Sequence, residues 1–103
     1  MKLRSLAHVR SGDKGDIAQI SVIAYREADF PHLQQRLTVE KVAEHFSLLS
    51  CRSIVRYEMP QIGALNFVLM GAIPGGVTRS LALDAHGKTL AMQLLSLELP
   101  DGD

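Results

Sequence analysis

The stretch Ala64-Leu65-Asn66-Phe67-Val68-Leu69-Met70-Gly71-Ala72-Ile73 reads as a β-strand with two unlike sides. Leu65, Phe67 and Leu69 alternate with Asn66, Val68 and Met70, the period of two that separates the faces of a pleated strand. Pro60-Gln61-Ile62-Gly63 before it is turn chemistry. Residues 52–59 form a second strand, with Ile54, Arg56 and Glu58 on one side and Val55 and Tyr57 on the other. The pattern predicts a solvated side for Arg56 and Glu58 and a half-buried Tyr57. Asn66 is the odd residue of the central strand. If Leu65, Phe67 and Leu69 face helices, Asn66 lies on the open side, where a ligand or partner can meet it.

Working outward, Phe30-Pro31 opens a helical region, and Thr38 is an N-cap with Leu37 positioned to staple onto Val42. Val39, Val42, Ala43, Phe46 and Leu49 recur at helical spacing, which predicts a helix beginning near 32 or 38 and ending near 49. Ile17, Ile20, Val22, Ile23 and Tyr25 mark a strand, and residues 2–10 alternate weakly as another. After the break at Pro74-Gly75-Gly76, residues 77–83 are compatible with either an extended segment or a helix start. Asp84 caps a helix over about 84–95 with Leu90, Ala91, Leu94 and Leu95 as its stripe, and residues 97–99 end in a short strand. Without the first strand the order is βαββαβ, the ferredoxin-like order. The expectation is an α+β fold: a ferredoxin-like antiparallel sheet with an extra N-terminal strand and two helices on one face. Val42, Phe46, Leu49, Leu65, Phe67, Leu69, Leu90 and Leu94 are the predicted core.

The chain has 103 residues, which predicts one domain spanning 1–103. Lys plus Arg and Asp plus Glu number 11 each, so no basic footprint points to nucleic acid or to a membrane surface. With 47% apolar and 21% charged residues the composition is globular. No apolar run opens the chain as a signal peptide does, and none reaches the roughly 18 residues of a membrane span. A cytoplasmic chain is expected. The single cysteine, Cys51, forms no internal disulfide and reads as a small buried hydrophobe. His32, His45 and His86 lack metal-ligand spacing, so no metal or cofactor is expected, although Mg²⁺ held through Asp13 and substrate phosphates is compatible with the sequence.

His8-Val9-Arg10-Ser11-Gly12-Asp13-Lys14-Gly15-Asp16 concentrates an imidazole, cations, carboxylates and a hydroxyl. From residue 11 onward it reads as a turn. Gly12 and Gly15 let backbone N–H groups converge on an anion, and Lys14 adds a charge. Arg10, Ser11, Gly12, Asp13, Lys14 and Gly15 are therefore the candidate ligand-binding residues, completed by Thr78, Arg79 and Ser80 beside their own glycine pair. A solvated turn explains residues 11–16 equally well, and a plain turn explains 74–80 better. His8 and Asp13 are the candidates for proton transfer.

The blocks Ala7-His8-Val9-Arg10-Ser11-Gly12-Asp13-Lys14-Gly15-Asp16, Leu37-Thr38 through Ala43-Glu44-His45-Phe46, Arg56-Tyr57-Glu58-Met59-Pro60 with Gly63-Ala64-Leu65-Asn66-Phe67, and Gly75-Gly76-Val77-Thr78-Arg79-Ser80-Leu81 through Leu83-Asp84-Ala85-His86-Gly87-Lys88 resemble, in order, the small domain associated with the acyclic terpene utilisation protein AtuA. The resemblance implies a ferredoxin-like fold. It also implies a role beside a larger AtuA-type chain in the catabolism of acyclic terpenoids through CoA thioesters. It carries over no catalytic residue. The family pattern has Asn where Asp16 stands, which favours Asp13 and Lys14 as site residues. The leading expectation is an accessory subunit that binds an anionic ligand or a larger AtuA-type partner, or forms a homo-oligomer. The alternatives are a stand-alone small hydratase or isomerase using His8 or Asp13, and a purely structural oligomerisation domain.

Overall fold

The computed structural model describes residues 1–14, 17–46, 53–71 and 91–99, and of 13 and 14 the backbone alone. Four antiparallel strands, β1 (Ala7–Lys14), β2 (Ile17–Ala24), β3 (Ser53–Met59) and β4 (Ala64–Met70), form one sheet in the order β1-β2-β4-β3. Two short helices, α1 (Phe30–Arg36) and α2 (Val39–His45), join β2 to β3. No described helix is long and apolar enough to cross a membrane.

The register sorts the strands into two faces. Ala18, Ile20 and Val22 of β2 lie opposite Leu69, Phe67 and Leu65 of β4, and all six are buried. They share one core with Phe30, Leu33, Leu37, Val42 and Phe46 of the helical region and with Ala91, Leu94, Leu97 and Leu99. All described helices therefore pack on one face, as the alternation predicts. Of the predicted core, Leu49 and Leu90 lie outside the described residues, and every other member is buried. Of the helix expected over 84–95, residues 91–95 are described: 91–94 are helical and 95 is in a turn.

Thr38 caps α2 as expected: its Oγ1 accepts a hydrogen bond from the Lys41 N–H at 3.1 Å, while Leu37 and Val42 on either side are buried together. Thr38→Ala is expected to cost about 1 kcal/mol in urea unfolding, with α2 amides exchanging faster. The expected helix after Phe30 is divided, however. Leu37 and Thr38 leave helical geometry (ψ 80° and 166°), so α1 ends before α2 begins. Gly63 closes the 60–63 turn at φ 64°, a left-handed conformation that favours glycine.

Other expectations are corrected. Leu3–Ser5 is a 3₁₀ turn rather than part of a strand, because Leu3 and Leu6 both reach the core, and a spacing of three suits a helical turn. β1 runs through Ser11, Gly12, Asp13 and Lys14, where turn chemistry predicted a break. These residues pair with Ile20, Gln19, Ala18 and Ile17 of β2, so only 15 and 16 lie between the paired ends. A ladder on a β-branched partner strand outweighs the local turn preference, and hairpins favour two-residue connections. Arg56 is not solvated but partly buried on the helix side, and Tyr57 is exposed rather than half-buried.

Residues 97–99 do not extend the sheet. The Leu3 N–H donates to the Leu97 carbonyl at 2.9 Å and the Leu99 N–H to the Met1 carbonyl at 2.9 Å, around a single bridge between Lys2 and Glu98. In a βαββαβ sheet the last strand borders the first; here β1 occupies that border of β2.

Candidate functional site

The pleat divides the candidate residues. His8, Arg10 and Gly12 fall on the face away from the helices, and Ser11 on the helix side, at the exposed end of β1. Arg10 and Ser11 therefore lie on opposite faces of the sheet. Asp13 and Lys14 extend the ladder through their backbones. Gly15, Asp16, Thr78, Arg79 and Ser80 lie outside the described residues, as do Cys51 and His86. Gly12 does not have the positive φ of a nest, and a Cβ built on it meets nothing within 4 Å.

His8 stacks on Tyr25, with ring centroids 5.5 Å apart, on the open face. Asn66 lies on the same face, as its place in the alternation predicts, and its Oδ1 accepts a hydrogen bond from Ser21 Oγ at 3.0 Å. The register sets Arg10 beside Ser21, Ser21 beside Asn66 and Asn66 beside Tyr57. One polar side chain from each strand thus stands in a single row across the sheet. Ser21 escaped the sequence reading, and Tyr57 reads there as a half-buried strand residue rather than a site residue, because the row exists only once the strand order and register are known.

The flanking rows of this face are largely apolar. Ile23, Ala64 and Met59, with His8, lie on one side, and Val68 and Val55, with Gly12 and Gln19, on the other. No described side chain on the open face is an aspartate or glutamate.

Elsewhere, Lys41, Glu44, His45, Leu97 and Glu98 line a cleft of about 310 Å³. His45 is exposed. Its Nε2 lies 2.8 Å from the Gln93 carbonyl, to which it donates, and 3.4 Å from Ser96 Oγ. The Ser96 hydroxyl donates to that same carbonyl at 2.7 Å. A ring nitrogen already donating cannot accept the hydroxyl proton, so this pair is not a nucleophile with its base. No group of three or more His, Cys, Asp or Glu side chains that could hold a metal occurs among the described residues.

No curated protein and no solved structure matches the chain. The model of the AtuA ferredoxin-like domain matches residues 1–100. This agrees with the antiparallel α+β sheet and its one-sided helices, and with the family the sequence blocks resemble. The chain belongs to the AtuA ferredoxin-like domain family.

Proposed function

We propose that the chain is an accessory domain of a cytoplasmic AtuA-type system for acyclic terpenoid and acyl-CoA catabolism, and that it docks its open sheet face on the larger AtuA-type body. One observation carries this reading. The face away from the helices bears Ile17, Ile23, Val55, Met59, Val68 and Met70, only partly buried, and no described element packs over it. Such a surface gains free energy when a partner removes it from water. The family is named for a domain of AtuA, and on that ground the larger AtuA-type body is taken as the partner. Within the face, the end of β1 around Arg10 and Gly12 recognises a negatively charged group.

The test is light scattering on the chain alone, on the AtuA-type body alone and on their mixture. A particle with the summed mass is expected. Val55→Glu places a charge on the edge of the proposed interface and is expected to weaken the complex about tenfold or more, since the carboxylate is desolvated on binding. The melting temperature of the free domain should stay within a few degrees. Two unmixed species, or a complex indifferent to Val55→Glu, overturns the reading.

A further inference from the structure

We infer that the row Arg10–Ser21–Asn66–Tyr57 is the polar anchor of this face and receives a carboxylate side chain from the larger AtuA-type body. The inference rests on the docking reading above and names the chemistry it requires.

The row is a set of donors. Ser21 Oγ donates to Asn66 Oδ1 at 3.0 Å, which occupies the amide oxygen and leaves the Asn66 N–H groups to be used. Neither the Arg10 guanidinium nor the Tyr57 hydroxyl has a partner among the described residues, and Tyr57 is 54% exposed. Arg10 and Tyr57 stand at the two ends of the row, on the two edge strands. An occupant that covered these groups with apolar surface would strand several donors, one of them charged. A carboxylate on the occupant satisfies the charged donor, since Arg can hold it with two parallel N–H bonds, while Asn66 and Tyr57, further along the row, take other acceptors of the same surface.

The charge pattern separates the candidate occupants. Acids and bases balance over the chain, yet the described open-face side chains include Arg10 and His8 and no carboxylate. A second copy docked by the same face would bring another Arg10 and, among the described side chains, no acceptor of opposite charge. The row also crosses a pleated sheet between two rows that are apolar apart from His8 and Gln19, which suits a protein surface with one acidic residue set among apolar ones.

Gly12 is the independent observation. It sits on the open face, one pleat along β1 from Arg10, and a glycine within a strand costs stability relative to alanine. Neither a positive φ nor crowding within the chain calls for it: a Cβ there meets open space. A glycine so placed admits the close approach of another molecule's backbone beside Arg10.

The experiment measures the affinity of the full chain for the AtuA-type body at low and high salt. Arg10→Gln is expected to weaken binding about 30- to 100-fold and to flatten the salt dependence, and Tyr57→Phe about 3- to 10-fold. Both residues are exposed, so melting curves should overlay the wild type. Gly12→Val should weaken binding while Gly12→Ala weakens it less. If Arg10→Gln binds like wild type while Val55→Glu does not, the anchor is refuted and the docking reading stands. If neither variant matters, both fall. Arg10-dependent binding of CoA to the chain alone, or an Arg10-dependent dimer of the chain, gives the row another occupant and overturns the inference.

Discussion

Phe67→Ala is expected to lower the unfolding free energy by about 3–5 kcal/mol, a large part of the roughly 5–15 kcal/mol that holds a small domain together. Phe67 is fully buried at the middle of β4, between Ile20 of β2 and Arg56 of β3. Its ring faces the side of the sheet on which Leu33, Leu37 and Val42 complete the core. Truncation removes the transfer free energy of the ring and leaves a cavity bounded by strands on both sides, which limits collapse. With a urea slope of about 1–3 kcal/mol per M, the midpoint should fall by about 1 M or more while the slope holds. The control is one residue along the same strand. Val68→Thr lies on the open face and should cost less than about 1 kcal/mol. Equal losses at 67 and 68 would contradict the assignment of faces.

The same alternation explains which parts of the fold were legible. Leu65, Phe67 and Leu69 are read from a period of two, and Val42 and Phe46 from helical spacing, because each pattern needs only its own segment. Thr38 was legible for the same reason: its cap partner, Lys41, lies three residues away. The misreadings occur where a distant partner decides. Gly12 and Asp13 carry turn chemistry, yet Gln19 and Ala18 hold them in a ladder. Ile54, Arg56 and Glu58 were placed on one side of β3, as observed, but the pattern could not say that helix termini would meet Arg56 there. The candidate site shows this most clearly. Arg10 and Ser11 are adjacent in sequence and opposite in space, while Arg10, Ser21, Asn66 and Tyr57 are scattered in sequence and aligned in space. Of that row, Arg10 and Asn66 were legible as candidate contacts, one by its charge and one by its apolar neighbours, while Tyr57 was legible only as a strand residue.

Arg56→Met is expected to cost about 2–4 kcal/mol, nearly as much as Arg56→Ala, although it keeps most of the side chain's volume. One guanidinium nitrogen, Nη1, donates to the Gln34 and Leu37 carbonyls, each at 2.9 Å. Nη2 donates to Glu58 at 2.6 Å, and Glu58 also accepts from Gln34 Nε2 at 2.8 Å. The last carbonyls of α1 have no partner within their own helix, and the negative end of the helix dipole favours a cation at that position. Arg56 thus closes α1 from the neighbouring strand, at the point where Leu37 turns the chain toward Thr38 and α2. Its side chain is only 19% exposed, so water cannot fully replace the lost donors. Glu58 is more exposed, at 40%, and Glu58→Gln should cost less than about 1 kcal/mol, since a surface ion pair contributes little. Arg56→Lys keeps the charge but replaces a planar fork by one ammonium, and should recover only part of the loss. Urea unfolding measures the total, and amide exchange at residues 33–37 locates it. Wild-type stability in Arg56→Met would mean that the side chain acts by packing alone. Loss in Arg56→Met with unchanged exchange at 33–37 would mean that the donors matter somewhere other than the end of α1.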